Sequence, residues 1–237
     1  MENRKKTVHN EFANHYNSRQ YGRIYPAEFV VRTFMTNPPE LKFQKPSKGD
    51  TVVDISCGYG RNLLFLCEQG YNAFATEATQ QMCDSTKQRM KQFGYSPEIL
   101  TGKNHDLPFE DGFADYILAA YCIHFCDEGT TMENNIAEYA RILREGGWLV
   151  TCIMHKDVEF LKGARSLGNG IFLVPNDVPA ITYIAGYTIY AVGSTNQLVH
   201  DFSPFFDNFS FGEEKHDIYG HPGHYYWMVC RKKTACS

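Results

Sequence analysis

Between Val52 and Asn62 the chain reads VVDISCGYGRN: an apolar run that stops at Asp54, then Gly58 and Gly60 on either side of Tyr59. Glycines where a strand gives way to a helix allow positive φ and let a ligand approach the backbone closely. A helix beginning near Asn62 points unpaired N–H groups back at the same spot, which suits a carboxylate or a phosphate. Seventeen residues past Gly60, Glu77 closes the next apolar run. An acid at the tip of a second strand can accept both hydroxyls of a ribose. Together these residues point to a nucleotide-like ligand between residues 54–62 and Glu77. Taken singly, the glycines could serve only to make a tight turn, and Glu77 could be a solvated loop acid.

Other side chains could move a proton or face a cation. Tyr121, His124 and His155 fall at or just beyond the ends of apolar runs, and Tyr16, Tyr21 and Tyr25 cluster in HYNSRQYGRIYP. The histidines are candidate acid/base groups and the N-terminal tyrosines a candidate lid over a substrate. Ordinary packing of a core histidine and of aromatic rings is the competing explanation. In HDIYGHPGH three histidines, His216, His221 and His224, lie close in sequence, but no cysteine or acid completes a ligand set, so no metal is expected. The stretch reads as a loop before the last strand. Cys122 and Cys126 have no adjacent basic residue to lower a thiol pKa.

These groups need a scaffold, and the pattern of the chain supplies one. TVVDIS, NAFATE, PEILTG, ADYILAAY and WLVTCIM read as strands, several apolar throughout, as in a parallel sheet covered on both faces. Between them NLLFLCEQG, TQQMCDSTKQRMKQFG and TMENNIAEYARILREGG have helical spacing. This alternation predicts an α/β, doubly wound, Rossmann-like domain with helices on both faces. Ligands of such sheets bind beyond the carboxyl ends of the strands, where the strand order reverses. Residues 1–48 form a helical cap and a proline-broken linker, and residues 49–237 the main domain, with 156–200 as an insertion on the substrate side.

Composition narrows the partners. A net charge of -4 on 237 residues, with the small basic groups at the termini, disfavours nucleic acid. No apolar run approaches the ~20 residues of a membrane span. The eight cysteines are scattered, without a CxxC pair. A soluble, reducing, cytoplasmic setting is expected.

Four stretches, in register over roughly residues 50–154, resemble a known family. VVDISCGYGRNLLFL is similar to motif I of class I S-adenosylmethionine-dependent methyltransferases, and FATEAT to their second motif. NHDLPFEDGFADYILAAYCIHF and ARILREGGWLVTCI resemble the segments that follow. The resemblance implies a seven-stranded, mostly parallel sheet with an antiparallel last strand, S-adenosylmethionine as cofactor and S-adenosylhomocysteine as product. It places Gly58 and Gly60 under the methionine part, with backbone of Ser56 and Cys57 near its amino end. Asp54 orients that loop, Glu77 holds the ribose, Ala78 lies against the adenine and Tyr121 near the sulfonium. Two positions depart from the pattern. Ser56 replaces a glycine and fits if its φ is negative. Lys103 stands where many relatives have an acid that accepts from the adenine amino group, a task lysine cannot perform. The side-chain carbonyl of Asn104 is the expected substitute, with backbone of Lys103 and His105 along the ring. A small-molecule acceptor is expected, with His155, Tyr121 and His124 as candidate catalytic residues and Tyr16, Tyr21, Tyr25 and His155 on the substrate side. A binder that has lost turnover remains open. A nicotinamide-dependent oxidoreductase is disfavoured, because G-x-G-x-x-G/A needs a small residue where Leu63 stands and gives Asp54 no role.

Overall fold

Val52 and Val53 are both fully buried, on opposite faces of one short strand, and they put β1 (Thr51–Asp54) at the centre of a sheet. The computed structural model describes residues 24–175 and 186–234. β1 pairs in parallel with β2 (Asn72–Glu77) on one side and β4 (Ala114–Ala119) on the other. β3 (Glu98–Thr101) extends the sheet beyond β2, and β6 (Leu143–His155) beyond β4. β11 (His221–Lys232) runs antiparallel to β6 and carries β10 (Phe206–Ile218) at the edge. The resulting order, β3–β2–β1–β4–β6–β11–β10, is a mostly parallel open sheet that reverses direction of growth between β1 and β4. That switch point opens a crevice at the strands' carboxyl ends.

Successive strand residues feed different cores. Val52, Leu118, Val150 and Cys152 pack with Phe29, Val30 and Phe34 of α1 (Glu28–Met35) and with Phe65 and Leu66 of α2 (Arg61–Glu68). Ala75 and Ile99 pack on the same side with Cys83 and Met90 of α3 (Gln80–Gln92). Val53, Ile117, Leu149 and Ile153 face α4 (Met132–Ile142) and α5 (Thr195–Phe202). Thr79, Thr131 and Ser194 cap the N-termini of α3, α4 and α5 with side-chain oxygens. α2 has no such cap: Gly60 precedes it in the left-handed region, at φ 85°.

A small antiparallel sheet roofs the crevice. The chain leaves β6, forms β7 (Arg165–Gly168) and β8 (Ile171–Leu173), and returns as β9 (Thr188–Val192). β9 pairs with the last residues of β6, Met154↔Ala191 and His155↔Val192, and with the two-residue β5 (Phe125–Cys126). The main-layer helix α5 begins at Thr195, within the stretch 156–200, and buries Leu198 and Phe202 in the central core. Among the described residues no helix is long and apolar enough to cross a membrane, and all seven cysteines are free.

One expectation is corrected. HDIYGHPGH is not a loop; it is the end of β10, a turn at Tyr219 and Gly220, and the start of β11. Both turn residues have positive φ, 53° and 79°, as a tight hairpin with right-handed twist requires. The strands carry no apolar alternation here because the hairpin tip has little core to face, with Tyr219 fully exposed.

Candidate functional site

The turn between β1 and α2 is tied to its neighbours by hydrogen bonds. Cys57 N–H donates to the Thr76 carbonyl at 3.0 Å, and Thr86 Oγ1 donates to the Gly58 carbonyl at 2.7 Å. Gly58 N–H donates to Glu77 Oε1, and Ala78 N–H to Glu77 Oε2 at 3.2 Å. Gly58 and Gly60 have φ of 60° and 85°, and a Cβ on Gly60 would come within 3.0 Å of Thr86 Cγ2. Ser56 also has positive φ, 52°, against the negative value expected of a serine there. The turn imposes the conformation of the glycine it replaces, with local strain.

Two acids flank this turn. Asp54 is 1% exposed; one oxygen takes the Leu63 amide in the first turn of α2, and Oδ2 has no partner among the described residues. It thus supplies the cap that α2 lacks, from beneath. Burial, with Glu77 nearby, pushes its pKa well up. Burial also raises Glu77 to about 7, against the lowering effect of the Gly58 and Ala78 amides.

Above the turn lies a cavity of about 320 Å³. Ser56, Cys57, Gly58 and Asn62 border it from the β1–α2 turn, Glu77 and Ala78 from the tip of β2. Lys103 and Asn104 line it after β3, and Tyr121 after β4. Asn62 also ties the cap to the turn, its Oδ1 accepting the Ala27 amide at 3.0 Å. Asp54 and Gly60 lie beneath the lining rather than in it.

Asn104 faces this cavity with both amide protons used and one lone pair of Oδ1 left. Nδ2 donates to the carbonyls of Cys122 and Phe125, at 2.9 and 3.0 Å, and Oδ1 accepts the Tyr139 hydroxyl at 2.8 Å. It clamps the β3 loop to the segment after β4. Asp127, which sequence reasoning did not single out, also lines the cavity, with Oδ2 3.3 Å from His105 Nδ1. His105 itself is outside the lining.

Tyr121 adopts φ 61°, rare for an aromatic residue, with its amide donating to Cys152 Sγ at 3.1 Å. Phe29 and Tyr225 meet its ring edge-on, and the Arg61 guanidinium lies 5.7 Å from its centroid. Burial pushes its hydroxyl pKa far up, so it is no base. Arg61 also lines the cavity. Its sequence position offered a signal: a cation in the first turn of a helix opposes the helix dipole, an arrangement that calls for a compensating anion.

The two candidate histidines are elsewhere. His124 is buried, its pKa driven down to about 4 by burial, and it does not border the cavity. His155 shares a sheet face with Tyr226 and stacks on His224, ring centroids 3.7 Å apart. Its Nδ1 accepts the Asp157 amide at 3.1 Å. His155, His224 and Glu213 form a group whose donor atoms lie within 4.8 Å of one another. Stacked rings direct their lone pairs in parallel rather than toward one point, and the Asp157 contact places the His155 proton on Nε2; the group is not set as a chelate. Tyr25 is 70% exposed and outside the lining. Tyr16 and Tyr21 lie outside the described residues. Phe125, Cys126 and Tyr187 of the roof complete the cavity wall.

Residues 53–151 match the family model described as a methyltransferase domain. An uncharacterized methyltransferase of Mycobacterium bovis is 30% identical over 132 residues, 55% of this chain and 51% of that protein. The chain thus spans about half the length of the curated relatives it matches first. A solved S-adenosylmethionine-dependent methyltransferase of Methanosarcina mazei superposes with a TM-score of 0.64 at 15% identity, covering 89% of this chain and 99% of that one. The 1,6-didemethyltoxoflavin-N1-methyltransferase of Burkholderia thailandensis, solved with 1,6-didemethyltoxoflavin and S-adenosylhomocysteine, gives a TM-score of 0.57 at 16% identity, over 79% and 72% of the two chains.

Proposed function

We propose that the chain, whose residues 53–151 match a methyltransferase domain, is a class I S-adenosylmethionine-dependent methyltransferase that transfers the methyl group of S-adenosylmethionine to a small molecule, releasing S-adenosylhomocysteine. The observation that carries this reading is one cavity bordered by an acid at the tip of β2, Glu77, and by a guanidinium beside an aromatic ring, Arg61 and Tyr121.

The donor set fits the cofactor. Each Glu77 oxygen holds one amide and retains acceptor capacity for a ribose hydroxyl. Arg61 would pair with the methionine carboxylate, and the Tyr121 ring favours a neighbouring cation. Ala78 leaves room for the base. The bound cofactor would supply an activated methyl on a sulfonium. The chain's own residues then need only align acceptor and donor. Cys57 and Cys122, their thiols pushed up by burial, are not nucleophiles. The roof with Tyr187 limits the acceptor to modest size, and the acidic net charge favours a small molecule over nucleic acid.

A second reading, a cofactor binder without turnover, draws on Lys103, which cannot accept from the adenine amino group, and on Asn104, whose carbonyl is shared with the Tyr139 hydroxyl. Calorimetry with S-adenosylmethionine, S-adenosylhomocysteine and NAD, followed by labelled-methyl transfer to metabolite extracts, tests both. Micromolar binding of the sulfonium compound with a labelled product is expected. Binding without any product favours the second reading, and binding of NAD alone overturns the first.

A further inference from the structure

Glu214 sits on β10 directly across from Tyr225 of β11. Its two oxygens are held apart: the Trp227 indole N–H donates to Oε2 at 3.1 Å, and His216 Nε2 lies 3.2 Å from Oε1. Among the described residues its ion-pair partner is an imidazole, with no lysine or arginine in that role. The side chain keeps 28% exposure. Glu214, Tyr225 and Trp227 lie outside the cavity lining, and ring contacts connect them to Tyr121, which is part of it. Tyr225 meets Tyr121 edge-on at 5.0 Å between centroids, and Tyr121 lines the cavity wall. Trp227 packs on Phe29 at 5.1 Å, and Phe29 packs on Tyr121 at 5.8 Å. Tyr121, Tyr225 and Trp227 are each only partly buried.

We infer that the methyl acceptor is an amine, and that Glu214, beside Tyr225 and Trp227 at the Tyr121 edge of the cavity, recognises it. This rests on the methyltransferase reading above. A carboxylate with spare lone pairs accepts charge-assisted hydrogen bonds from an ammonium, and aromatic faces favour the same cation. An anionic acceptor would be repelled. A neutral hydroxyl acceptor would leave the charge of Glu214 unused. An amine needs no base at the moment of transfer. It gives one proton to solvent or to Glu214, and its lone pair forms the new N–C bond. The S–C bonding pair stays on sulfur, and the product leaves as a methylated ammonium.

The experiment uses the full chain, tritiated-methyl S-adenosylmethionine, and a panel of aromatic and aliphatic amines with their hydroxyl and thiol isosteres. Glu214→Gln retains an acceptor for Trp227 and, with His216 in its other tautomer, a donor to that ring, so the hairpin's hydrogen bonds survive while the charge is lost. Amines become labelled and their isosteres do not. In Glu214→Gln, kcat/KM for amines falls about tenfold or more, with cofactor affinity and melting temperature unchanged. Labelling of hydroxyl or thiol compounds but not amines overturns the inference, as does an unchanged amine kcat/KM in the variant, or no labelled amine although the cofactor binds. Failure of S-adenosylmethionine to bind overturns the underlying reading instead.

Discussion

The Tyr139 hydroxyl, on a fully buried side chain of α4, donates to Asn104 Oδ1 at 2.8 Å and so fixes a residue on the cavity wall from below. Tyr139→Phe removes that donor and leaves the Asn104 oxygen short of a partner. A loss of about 1–2 kcal/mol in unfolding free energy is expected, read by denaturant titration. Cofactor affinity should stay within about threefold, because Asn104 keeps its two Nδ2 hydrogen bonds and its place on the wall. A hundredfold loss of affinity would show that the Tyr139 hydroxyl holds Asn104 in place for the cofactor.

Glu77 carries a pH signature with two opposite signs. Its folded pKa of about 7 lies above the ordinary 4.5, so the folded state keeps a proton that the unfolded chain releases. Free-protein stability from this group is therefore full below pH 4.5 and lost as pH rises through 7, by about 3 kcal/mol at most. Cofactor affinity should move the other way, rising from pH 6 to 8 as the ribose-accepting carboxylate forms. Calorimetry across that range should show the rise in wild type and a flat, weaker profile in Glu77→Gln.

His124 opposes Glu77 in the stability profile. Its folded pKa of about 4 lies below the ordinary 6.5, so the unfolded chain takes up a proton that the folded chain refuses. Stability is present above pH 6.5 and lost as pH falls toward 4, by about 3 kcal/mol. The two slopes partly cancel in wild type. The difference between wild type and His124→Asn, measured by urea unfolding at several pH values, should isolate the term as a gap that closes toward acid. Methyl transfer at neutral pH should change little if the variant folds, since the ring does not border the cavity.

Ser56 holds a positive φ at a position where glycine would be unstrained. Ser56→Gly should raise unfolding free energy by ~0.5–1 kcal/mol, the strain relieved less the added entropy of the unfolded chain. Ser56→Val should destabilise by more than that and weaken cofactor binding, because a β-branched residue resists this conformation. A serine-to-glycine change that destabilises would show that the hydroxyl has a role beyond the backbone.

What could be read from the sequence follows locality. The strand, the glycine turn, the helix behind it and Glu77 lie within one β–α–β unit, and their spacing alone places them at the rim of a sheet. Asp54 was legible as an oddity but not as the cap of α2, because its partner, the Leu63 amide, is brought to it by the turn. Asn104 looked like a free carbonyl since nothing in the sequence shows Tyr139 beneath it. His155 looked like a cavity residue because it follows a strand. The register of β6 against β11 turns it instead toward His224 and Tyr226. An antiparallel last strand was expected, but the tip of its hairpin, HDIYGHPGH, was read as a loop because polar alternation on a projecting ribbon resembles one.

The β1–α2 turn is fastened to Thr76, to Glu77 and to Thr86, that is, to a strand and a helix at once. A wall bolted in this way cannot swing aside without tearing sheet contacts, so traffic must use the opposite bank. Phe125 and Tyr187 stand there, 5.2 Å apart, where a two-residue strand meets an appended ribbon. Turnover speed would then be governed by how that light doorway breathes, and amides of the roof should exchange with deuterium well before those of the glycine turn.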